Sequence, residues 1–418
     1  CAAPLGCEVR PDGVEVIEHR WVPAVDLAQQ RGDVPVRGPT LAVARDLARH
    51  ATVEAALAWA RAIPAFEPVR PNLALDANEG SPSDALASLL DGLAGEGARA
   101  EGAWTEAVLE LARRYPDARA LEGALARRFG LAPGSSLACC GSDDALSRAL
   151  RAFARPGSKA LVLEPGFAMF RVHAKLAGAE ASSVPWPEGT DFPLEAVAEA
   201  LRDKPGIGAL CVASPANPTG AAVTEEAFDE LAALCRGRLL VADGAYAEFA
   251  RFDIRAAAAR LIRSGRDDVV ALGTFSKAYG LAGLRVGYAL AAPSTIGALR
   301  AAGLPYPVGG LAAAIALEAL GNEAALARSV AFAREARGRI LSSLAAAGAK
   351  VRPSEANFVF ARFRDARGFA SALAGRGIAV RTWPAGSELA DAARVGCPPD
   401  AASLERLEAA IAAAGGFA

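Results

Sequence analysis

Residues 269–277 read Val-Val-Ala-Leu-Gly-Thr-Phe-Ser-Lys, an apolar run that ends in polar residues. The run predicts a buried β-strand over residues 269–274, with Ser276 and Lys277 directly beyond its end. Similar apolar runs occur at residues 160–163, 207–213, 239–242 and 286–291. Long amphipathic stretches separate these runs, a pattern typical of a mostly parallel sheet flanked by crossover helices. The sequence therefore predicts an α/β fold.

Polar residues stand at the ends of several of these strands. The segment from Ser214 to Gly220 follows one strand, and Asp243-Gly-Ala-Tyr246 follows the next. In an open parallel sheet, ligands bind at the carboxyl ends of the strands. The chain has five lysines against forty arginines. A lysine at a strand end, in the pair Ser276-Lys277, therefore indicates a need for a primary amine, which a guanidinium cannot meet.

In this order, the segments resemble the fold-type I aminotransferases, which depend on pyridoxal 5′-phosphate (PLP). The histidinol-phosphate aminotransferase branch is the most similar, and the resemblance covers residues 73–415. Any one motif would be weak evidence, whereas the ordered set is specific. The family implies a mostly parallel central sheet in a large domain and a smaller α+β C-terminal domain. The matching segments are Leu75-Asp-Ala-Asn-Glu79, Tyr115-Pro-Asp117, Gly141-Ser-Asp-Asp144, Pro165-Gly-Phe-Ala-Met-Phe170, Asn217-Pro-Thr-Gly220, Asp243-Gly-Ala-Tyr246, Ser276-Lys277, Arg285, Ser354-Glu-Ala-Asn-Phe358 and Gly377-Ile-Ala-Val-Arg381.

The resemblance implies how the cofactor ring is held. Lys277 would form a Schiff base with PLP and move a proton on the substrate. Asp243 would pair with the pyridine nitrogen, so that Lys277, Asp243 and Tyr246 are the expected catalytic residues. Tyr246 and Asn217 would hydrogen-bond the ring oxygen. Phe167 would stack on the ring.

The cofactor phosphate is expected at the start of a helix over residues 143–154, because free N–H groups and the positive dipole end suit an anion. Its expected partners are Ser142, Asp143, Thr274, Ser276 and Arg285. In the family, the tyrosine that matches Tyr115 reaches the phosphate of the neighbouring subunit, which implies a homodimer with shared sites.

Three residues are expected to bind substrate, namely Asn78, Arg381 and Arg394. In the family, the arginine that matches Arg394 binds the α-carboxylate, or the phosphate of phosphorylated amino alcohols, and Arg381 matches a second phosphate ligand. A guanidinium is the natural partner of either anion. The resemblance thus implies an aminotransferase for a small anionic, phosphorylated amine such as L-histidinol phosphate, with 2-oxoglutarate as the other substrate.

Departures from the family pattern keep other functions open. Gly244 replaces a usual glutamate, Gly80 removes a side chain from the substrate entrance, and the spacer to Tyr115 is long and rich in glycine. The segment Arg394-Val-Gly-Cys-Pro-Pro-Asp400 also resembles the threonine-phosphate decarboxylases, which share the fold. A lyase of that type and an aminotransferase of specialised metabolism are alternatives. A regulatory protein of the same fold is disfavoured because the residues expected for cofactor chemistry are all present.

Composition excludes several classes of protein. A net charge of −2 leaves no basic footprint for nucleic acid or membranes. No apolar run could span a bilayer, and no signal peptide is visible. The seven cysteines form no CxxC pair and the three histidines lie far apart, so no metal site is expected. Buried, reduced thiols in the cytoplasm are the expectation. For a chain that begins at Cys1, a fragment and a processed lipoprotein are the two expectations.

Four regions are expected along the chain. Residues 1–70 form an N-terminal extension of unknown role, with a hairpin at residues 7–22 around a Pro-Asp-Gly turn and a helix at residues 40–63. The other regions are an arm or small-domain segment at residues 71–110, a large PLP-binding domain at residues 111–305 and a small C-terminal domain at residues 306–418.

Overall fold

The computed structural model describes residues 73–75, 108, 110–154 and 156–417. The expected hairpin at residues 7–22, the expected helix at residues 40–63, Asn78 and Gly80 lie outside the described residues. Within the described residues, thirteen strands form three sheets. The strands are β1 (Leu73–Ala74), β2 (Ser136–Cys139), β3 (Lys159–Glu164), β4 (Glu180–Pro185), β5 (Ile207–Ala213), β6 (Leu239–Asp243), β7 (Val269–Thr274), β8 (Gly287–Leu290), β9 (Lys350–Val351), β10 (Phe358–Arg362), β11 (Ile378–Ala379), β12 (Arg381–Thr382) and β13 (Ala392–Gly396).

Helices flank these sheets, and several begin at a side-chain cap. Thr224, Asp253 and Asp400 each accept a hydrogen bond from a backbone N–H of the helix that follows. The described helices are α1 (Arg119–Arg128), α2 (Gly141–Phe153), α3 (Met169–Leu176), α4 (Leu194–Asp203), α5 (Glu225–Leu234), α6 (Ile254–Arg263), α7 (Pro293–Ala301), α8 (Gly310–Gly321), α9 (Glu323–Ala346), α10 (Ala366–Ala374) and α11 (Ala401–Ala413).

None of these described helices is by itself long and apolar enough to cross a membrane. The pair α8 and α9 passes that test of length and composition only when taken together, across a bend of 79°.

The largest sheet has seven strands in the order β2-β8-β7-β6-β5-β3-β4. Strand β8 runs antiparallel to both of its neighbours, and the other neighbouring strands are parallel. Alternate residues of a strand face opposite layers. Leu240 and Ala242 pack with residues of α1, α4, α5, α6 and α8, whereas Leu239 and Val241 pack with residues of α2, α3 and α7. Helices therefore bury both faces of the sheet.

Two smaller sheets follow later in the chain. Strands β12, β13, β10 and β9 form an antiparallel sheet in that order, and β1 pairs with β11 in parallel. Residues of α9, α10 and α11 pack with these strands in a separate core that includes Ile340, Phe369 and Leu407. A second, smaller α+β layer thus accompanies the large sheet.

The predicted α/β fold is confirmed, with a mostly parallel central sheet. All five predicted strands of that sheet are present, as β3, β5, β6, β7 and β8, although β8 is antiparallel. The sequence does not predict β2, β4 or β13. Strand β4 reads Glu-Ala-Ser-Ser-Val-Pro and is the last strand of the sheet among the described residues, a position where polar residues are tolerated.

Candidate active site

The strand ends that carry the predicted site residues meet at one edge of the large sheet. The register pairs Ala213 with Asp243, and Thr274 with Gly287. Cys139, the last residue of β2, also pairs with Gly287. Because β5, β6 and β7 are parallel and β8 enters from the same side, the loops beyond these residues share one edge. This edge contains every predicted cofactor residue except Tyr115.

The start of α2 packs unusually close to β8. A side-chain carbon on Gly287 would lie 2.4 Å from the backbone N of Ser142, so only glycine permits this approach. Gly141 has a φ of +77°, and a side-chain carbon there would lie 2.7 Å from Nη2 of Arg285. The first N–H groups of α2 and the Arg285 guanidinium therefore lie side by side. Both are donors for an anion.

Hydroxyl groups complete this cluster of donors. Thr274 Oγ1 donates to Ser276 Oγ at 3.0 Å, and Arg285 Nη1 donates to the same Ser276 oxygen at 3.4 Å. Arg285 has a φ of 54° in the left-handed region, which is uncommon for a residue with a side chain. Such backbone conformations concentrate at functional sites. We name Ser142, Thr274, Ser276 and Arg285 the anion cradle.

Asp243 is buried at the end of β6, with a relative exposure of 4%. Burial raises the pKa of its carboxyl to about 7, a hydrogen bond from Ala245 N lowers it, Asp143 raises it further and Arg255 lowers it. The Ala245 N–H donates to Asp243 Oδ1 at 2.9 Å. A cation placed against this carboxyl would favour its ionised form. Asp243 is thus a fitting partner for a protonated ring nitrogen.

Lys277 and Tyr246 lie next to each other at the same edge of the sheet. The Lys277 Nζ is 5.8 Å from the centroid of the Tyr246 ring. Tyr246 is buried and meets Phe358 of β10 edge to face, with ring centroids 5.2 Å apart. The predicted catalytic lysine, tyrosine and aspartate therefore share one edge of the sheet.

The expected substrate arginines enter from the smaller sheet. Arg394 is buried, and its Nη1 donates to Asn217 Oδ1 at 2.6 Å. Its guanidinium carbon lies 5.2 Å from the Phe358 ring centroid. Arg381 on β12 is directly opposite Arg394 on β13 and is exposed. Directly opposite residues of neighbouring strands share a face, so both arginines face the same side of this sheet.

Two further predicted residues lie apart from these contacts. Phe167 follows β3 at the same edge, and its ring meets Phe170 edge to face at 5.6 Å. Tyr115 is 82% exposed and stacks on Tyr306, with ring centroids 4.9 Å apart. Among the described residues, no hydrogen bond or ring contact joins Tyr115 to the anion cradle. Asn78 lies outside the described residues.

Comparison with known proteins agrees with this geometry. The family model "Aminotransferase class I and II" matches residues 104–411. The chain belongs to the class I and II aminotransferases. A histidinol-phosphate aminotransferase from Xanthomonas euvesicatoria is 38% identical over 295 residues, covering 68% of this chain and 80% of the relative. An aromatic amino acid aminotransferase from Thermobifida fusca is 39% identical over 272 residues, covering 64% of this chain and 75% of the relative.

Solved structures show the same fold. The histidinol-phosphate aminotransferase from Sinorhizobium meliloti in complex with pyridoxal-5′-phosphate has a TM-score of 0.71 and 26% identity, covering 85% of this chain and 96% of that one. The L-threonine-O-3-phosphate decarboxylase from Porphyromonas gingivalis has a TM-score of 0.66 and 22% identity, covering 81% and 98%, and it shares the fold. Our chain is a PLP-dependent aminotransferase, which acts on a small amine donor and a 2-oxo acid.

The side chains of this aminotransferase fit PLP in three respects. The anion cradle suits a phosphate, the Asp243 carboxyl suits a pyridinium nitrogen, and the Lys277 amine suits an aldehyde. When bound, PLP supplies an electron sink for the carbanion that forms at the substrate Cα. The protein supplies the positions of the groups around it.

Sequence reasoning missed parts of the aminotransferase site. Arg255 fills the space that the missing side chain of Gly244 leaves. From the sequence alone, the replacement of the usual glutamate by Gly244 indicates only that a side chain is lost. Tyr306, with a φ of 53°, holds the ring of Tyr115, and a tyrosine between two prolines gave no signal. Cys140 is exposed at the start of α2, so the expectation of buried thiols is wrong at this position, whereas Cys139 is buried.

Proposed function

We propose that the aminotransferase exchanges an amino group between a small phosphorylated amine, L-histidinol phosphate in the first place, and 2-oxoglutarate. The observation that carries the proposal is the pair Arg381 and Arg394, directly opposite each other on β12 and β13. Like charges in that position repel each other. An anionic substrate relieves the repulsion and can engage both guanidinium groups.

We infer a division of roles between the two arginines. Arg394 is buried and bonded to Asn217, so it would hold an anionic group next to the reacting carbon. Arg381 is exposed at the rim, so it would meet the distal phosphate. Lys277 would bind the cofactor aldehyde and move the proton, while Asp243 would face the ring nitrogen. Asn217 and Tyr246 would hold the ring oxygen, and Phe167 would cover the ring.

An aromatic amino acid is a second candidate substrate, and one contact favours it. Trp383, two residues beyond Arg381, meets Phe360 edge to face with ring centroids 5.9 Å apart. Phe360 is directly opposite Arg394 in the strand register. Aromatic side chains beside a carboxylate-binding arginine suit a ring-bearing substrate. A relative named aromatic amino acid aminotransferase agrees with this candidate.

A dimer and a reducing compartment complete the proposal. Tyr115, Leu304 and Tyr306 are large apolar side chains with exposures of 82%, 70% and 57%. Such a patch suits a protein partner, and we propose a second copy of the chain.

The buried free thiols of the described residues, among them Cys211 and Cys397, fit the cytoplasm. The domain limits stay a prediction.

A substrate panel tests the proposed substrate. The holoenzyme is mixed with histidinol phosphate, histidinol, phenylalanine or threonine phosphate, and conversion of PLP to pyridoxamine phosphate is followed by absorbance. We expect conversion with histidinol phosphate and recovery of the original band with 2-oxoglutarate. Arg381→Ala should lower kcat/KM for histidinol phosphate far more than for histidinol. The exposed Arg367→Ala on α10 is the matched control.

Other outcomes would change the assignment. Faster conversion by phenylalanine than by histidinol phosphate would favour the aromatic substrate. Release of CO₂ from threonine phosphate, with no pyridoxamine phosphate from any amine, would contradict the proposed reaction. Equal losses for histidinol phosphate and histidinol in Arg381→Ala would remove the phosphate role of Arg381.

A further inference from the structure

Two glycines on neighbouring strands leave a niche behind the predicted cofactor site. Gly244 follows Asp243 at the end of β6, and Gly273 lies in β7. Asp243 pairs with Leu272 in the register, so Gly244 and Gly273 are neighbours across the two strands. The Gly244 N–H donates to Leu272 O at 3.0 Å, which fixes this arrangement. Neither residue contributes a side chain to the space beside Asp243.

Arg255 and Tyr288 occupy that niche. A side-chain carbon on Gly244 would lie 2.4 Å from Arg255 Cγ, and one on Gly273 would lie 2.2 Å from Tyr288 Cζ. These distances are far shorter than a van der Waals contact. The stem of Arg255 therefore packs against the backbone of the residue that directly follows Asp243.

Four hydrogen bonds hold the Arg255 guanidinium in the interior. Its Nη1 donates to Glu248 Oε1 at 2.5 Å and to the Tyr288 hydroxyl at 3.1 Å. Its Nε and Nη2 donate to the two Asp253 carboxylate oxygens at 2.9 and 2.8 Å. The exposure of Arg255 is 4%. Although burial lowers the pKa of Arg255, these acidic partners raise it well above its ordinary value. A fixed positive charge is thus buried here.

The position of this charge is unfavourable for stability alone. Burying an ion pair costs desolvation free energy that the attraction between the ions often fails to offset. Arg255 also lies in the first turn of α6, where the helix dipole repels a cation. One oxygen of its partner, Glu248 Oε2, is buried without a hydrogen bond in the described residues. A role in the function of the site would explain why the charge is retained.

The neighbouring carboxyl of Asp243 is the group that this charge can serve. Burial and the carboxylate of Asp143, at the start of α2, both favour the neutral form of Asp243. Arg255 and the Ala245 N–H act in the opposite direction. Cys211 of the neighbouring strand β5 is also close. Burial, and to a lesser extent the Asp243 carboxylate, raise the pKa of its thiol, so this thiol stays neutral. Arg255 is thus a cation that disfavours protonation of Asp243, although burial outweighs it.

We propose that Arg255 is a positioning residue for the cofactor: its buried cation, seated in the niche of Gly244 and Gly273, favours the ionised form of Asp243 that pairs with the pyridine nitrogen of PLP. The proposal rests on the proposed pairing of Asp243 with that nitrogen. Arg255 contacts neither substrate nor cofactor in this arrangement. It acts through Asp243, and the Glu248 and Asp253 carboxylates hold it in place.

The affinity of the apoenzyme for PLP, measured against pH by the absorbance of the bound cofactor, tests the proposal. In the wild type, affinity should fall as pH decreases and Asp243 becomes protonated. In Arg255→Gln, the midpoint of this fall should move to higher pH, and affinity at neutral pH should drop roughly tenfold for each unit that the pKa rises. Arg255→Lys retains the charge and should restore much of the affinity. Tyr288→Phe removes only a hydroxyl and should leave the midpoint unchanged.

Matched variants separate this role from simple support of the fold. Arg266 is another buried arginine that pairs with a carboxylate, Asp268, at the opposite edge of the sheet, so Arg266→Gln is the control. It should leave the midpoint and the affinity unchanged. If Arg255→Gln does not fold, Arg255→Met also removes the charge, keeps an unbranched stem in the niche and should show the same shift.

Two results would overturn parts of this picture in different ways. A folded Arg255→Gln or Arg255→Met protein with wild-type affinity and midpoint contradicts the role of Arg255. Asp243→Asn should weaken PLP binding and remove the part of its dependence on pH that Asp243 contributes. If Asp243→Asn binds PLP as the wild type does, the proposed pairing of Asp243 with the ring nitrogen is wrong, and the role of Arg255 that rests on it is wrong as well.

Discussion

At the scale of single residues, the burial of Asp243 has a measurable effect on stability. Its pKa is about 7 in the folded apoprotein against an ordinary value of 3.8. Between these values the folded state binds one proton more than the unfolded state, so the free energy of unfolding falls as pH rises through this window. Asp243→Asn has no such proton. The free energy of unfolding of the Asp243→Asn apoenzyme, relative to that of the wild type, should therefore increase as pH rises from about 4 to about 7.

Urea unfolding of both apoproteins at several pH values measures this difference. Comparing the two proteins at each pH cancels the contributions of other titrating groups. A difference that stays constant across the window would contradict a raised pKa for Asp243. Saturation of the wild type with PLP should weaken the dependence of this difference on pH, because a cation at the ring nitrogen favours the ionised form of the Asp243 carboxyl.

At the scale of elements, the close approach of α2 and β8 forms the anion cradle. Gly287→Ala would place a carbon 2.4 Å from Ser142 N, so the first turn of α2 must shift. We expect the affinity for PLP to fall by at least tenfold, about 1.4 kcal/mol, because the phosphate loses aligned N–H donors. Gly283→Ala, which meets no atom within 4 Å, is the matched control. Wild-type affinity in Gly287→Ala would contradict the position of the cradle.

Elements with strong apolar patterns could be predicted from the sequence, and those without could not. Strands β5 and β7 are predicted with their observed limits, because both are continuous apolar runs buried on both faces. Strand β13, Ala-Ala-Arg-Val-Gly, contains a buried arginine, so its pattern does not resemble a strand. The direction of β8 depends on its pairing with β2 and β7, which no local pattern encodes.

The candidate site divides in the same way. Residues at or just beyond a strand end, such as Asp243 and Lys277, could be placed because the parallel sheet brings strand ends together. Arg255 could not be placed, because its approach to Gly244 depends on how α6 packs behind the sheet. The opposition of Arg381 and Arg394 likewise depends on a strand register that the sequence does not reveal.

At the scale of the whole molecule, the position of Tyr115 points to a shared site. Its ring is exposed, and among the described residues no hydrogen bond or ring contact joins it to the anion cradle of its own chain. If Tyr115 serves the partner's site, a mixed dimer of Lys277→Ala and Tyr115→Phe chains contains one intact site. Refolding the two variants together in equal amounts should then restore about a quarter of the sites, since half of the dimers are mixed. Activity and sedimentation of the mixture are the measurements.

The control for this experiment is a mixture of wild-type chains with Lys277→Ala chains, which measures how much activity is lost through mixing and refolding alone. Activity that stays at the average of the two parents would mean that each site is built from a single chain. Sedimentation as a monomer at concentrations where the protein is active would exclude a shared site altogether.

Lys277 as the residue that binds PLP is the central claim, and reductive trapping tests it most directly. The holoenzyme is reduced with borohydride and digested, and the pyridoxyl-labelled peptide is identified by mass spectrometry. The label should lie on Lys277, and the visible absorbance should disappear on reduction. A label on Lys159, Lys175, Lys204 or Lys350, or no label in a protein that binds PLP, would contradict the claim.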